Sequence, residues 1–223
     1  MTFSIAARCA RTGRFAVAVA SSSPAVAARC AYARAGVGAA LSQNVTDPRL
    51  GPRALDLLAL GAGAADAVHI LRATAPHAEH RQVAVIDAAG AVAGFSGARA
   101  LGVHAIAHGA DAIAAGNLLV NADVPAAMIA AFAASAMDLG ERVVRAMQAG
   151  LAAGGEAGPV RSAGLLMVDR VPWPVADLRV DWHDTPIAEL AQLWALWRPQ
   201  LDAYVTRALD PDAAPSYGVP GEA

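Results

Sequence analysis

The opening of the chain alternates along two faces, and this pattern constrains the fold more than any other feature. Over residues 2–9, one face of the alternation carries Phe3, Ile5, Ala7 and Cys9. A period of two is typical of a β-strand. A turn over residues 11–14 leads into a second alternating run over residues 15–19. The sequence therefore predicts that the chain begins with a β-hairpin.

Further hairpins and pairs of helices follow. Strands are predicted over residues 36–43, 83–87, 92–95, 162–168 and 176–182, with a strand end at 116–119. Helices are predicted from about residue 52 to 60 and over 64–73, 125–137, 139–153 and 186–208, the last one capped by Thr185 and kinked near Pro199. Hairpins separated by paired helices favour antiparallel sheets covered by helices, an α+β fold. We expect one domain over residues 1–208 and an irregular tail over 209–223.

Charge and composition exclude several classes of function. The 223 residues include 17 basic residues, all of them arginine, and 19 acidic residues, for a formal net charge of −2. Without lysine, the chain has no catalytic lysine, Schiff base or P-loop. Its balanced charge provides no footprint for nucleic acid or an anionic membrane surface. We therefore expect a small-molecule substrate and neither a nucleic-acid nor a membrane partner.

The sequence also predicts where the protein works. Arg8, Arg11 and Arg14 interrupt what would have to be the apolar part of a signal peptide. The most apolar stretch, residues 110–136, contains too many polar residues for a membrane span. These features predict a soluble cytoplasmic protein, and alanine-rich helices that can pack closely between subunits lead us to expect a homo-oligomer.

Thr2 is a candidate nucleophile because it directly follows the initiator methionine. A small residue at this position permits the removal of Met1, which leaves a hydroxyl and a free α-amine on one residue. An α-amine has a reference pKa of about 8, so its neutral form can accept the hydroxyl proton near neutral pH. Many chains begin with Met-Thr and have no such chemistry. Ser4 lies on the same strand face and is an alternative nucleophile or a supporting hydroxyl.

Two asparagines are candidates to stabilise an oxyanion. Asn117 follows a glycine that permits the close approach of a ligand, and we assign it the catalytic donor role. Asn44 follows a strand end and is assigned to substrate binding. A loop-capping role is the alternative for both residues.

Arginines and serines supply the other substrate-binding candidates. Arg81 and Arg161 flank apolar strands, and a guanidinium can hold a substrate carboxylate through two parallel hydrogen bonds. Arg8 is a further arginine of this kind. Ser21 ends the second predicted strand, next to the N-terminus, and Ser162 begins a buried strand. A serine-rich turn before a proline is the alternative interpretation of residues 21–23.

A metal site is less well supported. His104 and His108 have the i, i+4 spacing of two ligands on a helix face, and Asp111 follows three residues later. Neighbouring glycines argue against a helix there, so we expect an exposed loop near the site and predict no metal or other cofactor. Cys9 and Cys30 have no metal or redox spacing and are expected to be reduced and structural.

Several runs of residues, which extend along nearly the whole chain, resemble the domain of unknown function 1028 family. These runs are Thr2 to Arg8, Val17 to Ser21, Ala33 to Ala39, Gln43 to Pro48 with Gly51-Pro52, Arg81-Gln82, Gly116-Asn117, Ser162-Ala163 and Asp177 to Asp181. The resemblance implies an N-terminal-nucleophile (Ntn) hydrolase fold, a four-layer α/β/β/α sandwich of mainly antiparallel sheets. It also implies that the residue beginning the first strand, here Thr2, attacks an amide.

One loop departs from the family pattern. Where the family often has an Asp and then an Arg-Gly pair and Gln before the Ser-Ala, this chain has Glu156, Gly158, Pro159 and Arg161. The departure indicates a subfamily with its own substrate. The glycines of this loop are followed by no phosphate-binding Lys-Ser/Thr pair, so we interpret it as a helix-to-strand connection.

Three functions follow from these observations. The first is hydrolysis of a small amide, N-carbamoyl or cyclic ureide compound by Thr2 with its α-amine as base. The second is binding of a small molecule without catalysis, and the third is an oligomeric scaffold. Loss of turnover in Thr2→Ala with unchanged folding distinguishes the first from the other two.

Overall fold

The computed structural model describes residues 1–219 and contains two antiparallel sheets stacked face to face. The larger sheet has the order β10-β9-β2-β1-β8-β7, and its strands are β1 (Thr2–Arg8), β2 (Phe15–Ser21), β7 (Val103–Gly109), β8 (Ala112–Leu119), β9 (Ser162–Val168) and β10 (Pro174–Val180). The smaller sheet has the order β3-β4-β5-β6, and its strands are β3 (Ala31–Arg34), β4 (Gly38–Gln43), β5 (Gln82–Asp87) and β6 (Val92–Ser96).

Helices cover both outer faces of the stacked sheets. They are α1 (Ala27–Cys30), α2 (Leu50–Ala59), α3 (Ala64–Thr74), α4 (Val124–Ala134), α5 (Leu139–Ala152), α6 (Pro186–Trp197) and α7 (Leu201–Leu209). Helices α2 and α3 pack on the smaller sheet, while α4, α5 and α6 pack on the larger one. The α+β class and the four-layer α/β/β/α arrangement are therefore confirmed.

The alternation of β1 sorts its side chains between two layers of core. Phe3 and Ile5 pack with apolar residues of α4 and α5 on the outer face of the larger sheet. Ala6 belongs to the apolar cluster between the two sheets. Ser4 shares that inner face and donates a hydrogen bond to Gln43 of the smaller sheet. The same period of two directs Thr2 toward the space between the sheets.

Some local predictions differ from the structure. The third strand begins at Gly38 rather than residue 36, and the short helix α1 and strand β3 come before it. Residues 103–109 form β7, so His104 and His108 lie on a strand and not in a loop. The Thr185 hydroxyl makes no capping hydrogen bond, although Thr185 does occupy the N-cap position of α6.

The helix predicted over residues 186–208 is interrupted at the position of the predicted kink, near Pro199. A short 3₁₀ turn, Arg198–Gln200, separates α6 from α7. Another 3₁₀ turn, Pro211–Ala213, lies within the segment predicted to be irregular, and residues 220–223 of that segment lie outside the described residues. Within residues 1–219, no helix has both the length and the apolar character needed to cross a membrane.

Candidate active site

Two hydroxyl groups meet at the carbonyl group of the first residue. The Thr2 side chain is only 6% exposed. Its Oγ1 donates a hydrogen bond to the Met1 carbonyl oxygen over 2.5 Å and lies 3.5 Å from Ser21 Oγ. Ser21 Oγ donates to the same carbonyl oxygen, also over 2.5 Å, and lies 2.8 Å from Ser23 Oγ. The Met1 carbonyl group is therefore held by the hydroxyls of Thr2 and Ser21.

The Met1 side chain lies against the loop that connects α5 to β9. A Cβ atom placed on Gly158 would approach the terminal methyl carbon of Met1 to 2.9 Å and its sulfur to 3.2 Å. Met1 is itself 38% exposed, so it fills a recess that opens to solvent. Removal of Met1 would leave this recess vacant, with the Thr2 hydroxyl and Gly158 among the groups that border it.

The same loop places a carboxyl group ahead of β1. Glu156 pairs with Leu119 of β8, whose other edge is paired with Val103 of β7. β1 pairs with the opposite edge of β8 only as far as Asn117, which faces Thr2. Glu156 pairs with that same edge two residues further along, at Leu119. Glu156 therefore lies in line with β1, in front of the N-terminus. This role of the loop was not predicted from the sequence.

Glu156 is a buried carboxyl group without a conventional partner. Glu156 is only 3% exposed, and neither Oε1 nor Oε2 makes a hydrogen bond within the described residues. Burial raises its pKa to about 7, although the positive charge of the Met1 ammonium and the nearby Ser22 hydroxyl and amide act in the opposite direction. The Ser22 hydroxyl and amide lie close enough to favour the charged carboxylate, but neither is oriented to form a hydrogen bond with it.

The end of β8 is bent to admit this loop. Leu118 has a left-handed backbone with φ of 51°, which is uncommon for a residue with a branched side chain. The next residue, Leu119, turns into the core beneath α4 and α5. It packs on Gly116, where a Cβ atom would lie 2.7 Å from a Leu119 methyl carbon. Glycine at position 116 is thus required by packing within the protein.

A network of buried amides joins the two sheets next to Thr2. Ser4 Oγ donates to Gln43 Oε1 over 2.8 Å, and Gln43 Nε2 donates to Gln82 Oε1 over 2.7 Å. Asn117 Nδ2 donates to the same Gln82 oxygen over 3.1 Å. Gln82 Nε2 donates to the Gly116 carbonyl oxygen over 2.9 Å, which fixes the orientation of the Gln82 amide because a carbonyl can only accept.

This network defines what Asn117 can do. One of its two side-chain N–H groups is directed at Gln82, and its Oδ1 is buried without a hydrogen-bond partner in the described part of the chain. Asn117 also pairs directly with Thr2 across the β1–β8 ladder. It is therefore next to the proposed nucleophile, with a second N–H group available to donate.

Asn44 and Arg81 form a separate polar group at the ends of β4 and β5. Asn44 and Val45 both have left-handed backbones, with φ of 62° and 57°. Asn44 Oδ1 accepts a hydrogen bond from the Leu101 amide over 3.1 Å, and Arg81 donates to the Val45 carbonyl oxygen. Within residues 1–219, no hydrogen bond links either side chain to Thr2, and each is instead the chain neighbour of a glutamine in the amide network.

Asp47 and Arg49 lie in the loop that follows Asn44. Arg49 binds both oxygens of Asp47 over 2.8 and 2.9 Å. These hydrogen bonds lower the pKa of Asp47 to about 2. Asp47 is buried while Arg49 is exposed, so the pair anchors this loop rather than presenting an unpaired charge.

Ser162 and Arg161 have different surroundings. Ser162 pairs with Ser21 in the β2–β9 ladder, and its Oγ donates to the Ser23 carbonyl oxygen over 2.6 Å and accepts from the Val26 amide. These hydrogen bonds hold the segment after β2 in place. The Arg161 amide donates to the Ser21 carbonyl oxygen over 2.8 Å, while its side chain pairs with Asp184.

A cavity of about 440 Å³ lies beside this segment. Arg161 lines it together with Leu151, Pro159, Val160 and residues at the start of α6. Its lining does not include Thr2, which is covered by Met1. Arg161 is thus the substrate-binding candidate that faces a cavity, and the backbone of Ser21 links it to the hydroxyl pair.

The alternative chemistries find no support in the geometry. His104 and His108 are both exposed on β7, and four residues along a strand span about 13 Å, too far for two ligands of one ion. No group of three His, Cys, Asp or Glu side chains within residues 1–219 is arranged to hold a metal. Burial raises the pKa of the Cys30 thiol, which disfavours its nucleophilic form.

Comparison with known proteins adds a family and a fold. The model of the DUF1028 family, described as a family of unknown function, matches residues 2–190. Solved structures also match, among them the crystal structure of a DUF1028 protein from Silicibacter pomeroyi, with 31% identity and a TM-score of 0.81. That match covers 87% of this chain and 88% of the other. A search of curated proteins gave no match.

A more distant likeness is to Anbu, the ancestral beta-subunit, from Yersinia bercovieri. The identity is 8%, and the match covers 97% of this chain and all of the other chain. The TM-score is 0.43, which is too low to bear on fold or function.

Proposed function

This chain belongs to the DUF1028 family, and from that premise we propose that it is an amidohydrolase whose nucleophile is the Thr2 hydroxyl after removal of Met1. Its substrates are small amides, N-carbamoyl compounds or cyclic ureides. The observation that carries the proposal is the Met1 carbonyl group, which both Thr2 Oγ1 and Ser21 Oγ contact over 2.5 Å. Two hydroxyl groups thus converge on one amide carbonyl oxygen beside Thr2, which supports a role for this position in binding a substrate carbonyl group.

The reaction has two halves. Thr2 Oγ1 attacks the carbonyl carbon of the substrate, and its proton passes to the neutral α-amine of the same residue. The tetrahedral intermediate then expels the amide nitrogen, which takes that proton from the α-ammonium as the C–N bond breaks. The substrate's acyl group remains on Thr2 as an ester. Water, deprotonated by the α-amine, attacks the ester and releases the acid and the Thr2 hydroxyl.

Two donors are near enough to stabilise the oxyanion. Ser21 Oγ already donates to a carbonyl oxygen in this position. Asn117, which pairs with Thr2, has one N–H group that is not directed at Gln82. Donors placed where negative charge develops lower the barrier because they need no reorganisation during the reaction. The amide network that holds Asn117 provides this rigidity.

The test compares wild type with Thr2→Ala on three substrate types: a small primary amide, an N-carbamoyl amino acid and a cyclic ureide. Alanine at position 2 also permits removal of Met1, so both proteins have a free α-amine. Thr12→Ala is the matched control, because Thr12 lies exposed in the β1–β2 turn. The proposal requires turnover of at least one substrate by wild type and Thr12→Ala and its loss in Thr2→Ala. Equal turnover in all three proteins would contradict it.

A further inference from the structure

The recess filled by Met1 has a carboxyl group at one end and the proposed nucleophile at the other. We propose that the substrate carries a cationic amino group on the carbon next to its scissile carbonyl, as an amino acid amide does, and that Glu156 binds this group. The inference rests on the proposed function and specifies its substrate class. It identifies Glu156 as the residue that determines specificity.

The register of the strands places the three groups in order. Thr2 pairs with Asn117, and Glu156 pairs with Leu119, two residues further along β8. The loop that carries Glu156 also reaches the position between these pairs, because the Ala157 amide donates to the Leu118 carbonyl oxygen over 2.8 Å. Met1 lies between Thr2 and this loop, against Gly158. Its carbonyl group meets the Thr2 hydroxyl, and its ammonium is the positively charged group that favours ionisation of Glu156. Met1 thus shows how an aminoacyl group fits this recess.

Glu156 forms no ion pair within residues 1–219. Both of its carboxylate oxygens are buried without a hydrogen bond in the described residues. The sequence contains no lysine. The two arginines proposed for substrate binding are engaged elsewhere, Arg81 at the Val45 carbonyl oxygen and Arg161 at Asp184. A buried carboxylate is costly unless it is paired, so its partner is expected from a ligand once Met1 has been removed.

Gly158 sets the space for the substrate side chain. A Cβ atom added to Gly158 would lie 3.2 Å from the Met1 sulfur and 2.9 Å from the Met1 methyl carbon. A side chain of about the size of methionine therefore fits beside Gly158. Met1 alone fills the recess between Thr2 and this loop, which favours a single aminoacyl unit over a longer peptide.

Methionine amide and its 2-hydroxy analogue, 2-hydroxy-4-(methylthio)butanamide, form a matched pair of probes, because a neutral hydroxyl replaces the ammonium at nearly the same size. We expect wild type lacking Met1 to hydrolyse the first with a kcat/KM about 30-fold or more above that of the second. Glu156→Gln should remove this preference by lowering turnover of the free-amine substrate. Glu79→Gln, a change of a partly exposed glutamate near β5, should keep it.

Binding to Thr2→Ala tests the inference without catalysis. By calorimetry, this variant should bind methionine amide and lose that binding when Glu156→Gln is added, while its circular dichroism spectrum stays unchanged. Gly158→Leu, which fills the recess and leaves the carboxylate in place, should also abolish binding. Equal binding of both probes, or equal effects of Glu156→Gln on both, would overturn the inference.

The two proposals fail in different ways. If Thr2→Ala binds methionine amide through Glu156 but wild type does not hydrolyse it, the proposed function fails and the binding inference stands. If wild type hydrolyses neutral amides through Thr2 and shows no preference for a free amino group, the inference fails and the proposed function stands.

Discussion

Two clusters of buried polar groups lie near the start of β1, and they differ in how completely their polar groups are hydrogen-bonded. In the amide network, Gln82 makes hydrogen bonds to Gln43, Asn117, Ser96 and the Gly116 carbonyl group. At the N-terminus, neither carboxylate oxygen of Glu156 has a hydrogen-bond partner within residues 1–219, and the hydroxyls of Thr2 and Ser21 both donate to the carbonyl oxygen of Met1, the residue whose removal we propose.

The difference shows what each cluster is for. Buried polar groups in native proteins are nearly always paired, so a satisfied network holds the fold and an unsatisfied group calls for a functional explanation. The amide network fixes the spacing of the two sheets and holds Asn117 beside Thr2. We propose that the N-terminal cluster keeps its hydrogen-bonding capacity for a substrate. Changes in the first cluster should affect stability, and changes in the second should affect activity.

The largest effect is expected from Thr2→Ala. Loss of the nucleophile should lower kcat by about 1,000-fold or more, because the proposed acyl-enzyme ester can no longer form. The melting temperature should stay close to that of wild type. Turnover and differential scanning calorimetry measure the two effects, and a large fall in melting temperature without loss of specific activity would reverse the assignment of the clusters.

Gln82→Leu should have the largest effect on stability. It leaves Gln43, Asn117 and the Gly116 carbonyl group without their shared partner in a buried site. The free energy of unfolding should fall by about 3 kcal/mol in urea titrations. Gln200→Leu is the control, because Gln200 is exposed and its side chain donates only to a helix carbonyl group. Equal stability of the two variants would show that the network does not hold the sheets together.

Glu156→Gln should change how stability depends on pH. The pKa of Glu156 in the folded protein is about 7, against an ordinary value of 4.5, so the folded state binds this proton more tightly. The stability that the folded state gains from binding this proton is fully present below pH 4.5 and is lost as the pH rises through 7. The variant, which has no such loss, should therefore be more stable than wild type at pH 8 by up to about 3 kcal/mol, and equally stable at pH 4.

Urea titrations at pH 4, 6 and 8 measure this dependence. Glu79→Gln serves as the control, because a hydrogen bond from its own backbone amide holds the pKa of Glu79 below its ordinary value, the opposite direction to Glu156. A constant difference between wild type and Glu156→Gln at all three pH values would mean that the carboxylate has a partner in solution.

Ser21→Ala should have the smallest effect of the four. Loss of one donor to the oxyanion should reduce kcat by about tenfold, with KM little changed. Ser42→Ala is the comparison, because the Ser42 hydroxyl is also buried but donates to the Asp47 carbonyl oxygen, away from Thr2. It should lower stability by about 1 kcal/mol and leave kcat unchanged. Steady-state kinetics beside urea titrations would separate the two hydroxyls.

The sequence predicts most of the fold because its signals are local. The hairpin of β1 and β2 follows from alternation and a turn, and the kink predicted at Pro199, where the structure has a 3₁₀ turn, follows from the missing amide hydrogen. β7 was not predicted, because it is an edge strand with little buried surface, on which His104 and His108 are exposed between small residues. α1 has only four residues, too few to show helical periodicity.

The site is less predictable because its contacts join distant parts of the chain. Thr2 is a candidate from its chemistry and position alone, and Gln43 and Gln82 stand out only as parts of family-like runs. Nothing local indicates that they share an oxygen atom. Glu156 is visible as a departure from the family pattern, but its place ahead of β1 depends on a left-handed turn at Leu118 and on pairing with Leu119.

Intact-mass spectrometry of the untagged protein tests the central claim most directly, since the mechanism needs a free α-amine on Thr2. The account predicts a mass lower than that of the full sequence by one methionine residue, in the same preparation that hydrolyses an amide. An active preparation in which every chain retains Met1 would contradict it, because the Met1 carbonyl group would then occupy the site and Thr2 would have no amine to act as base.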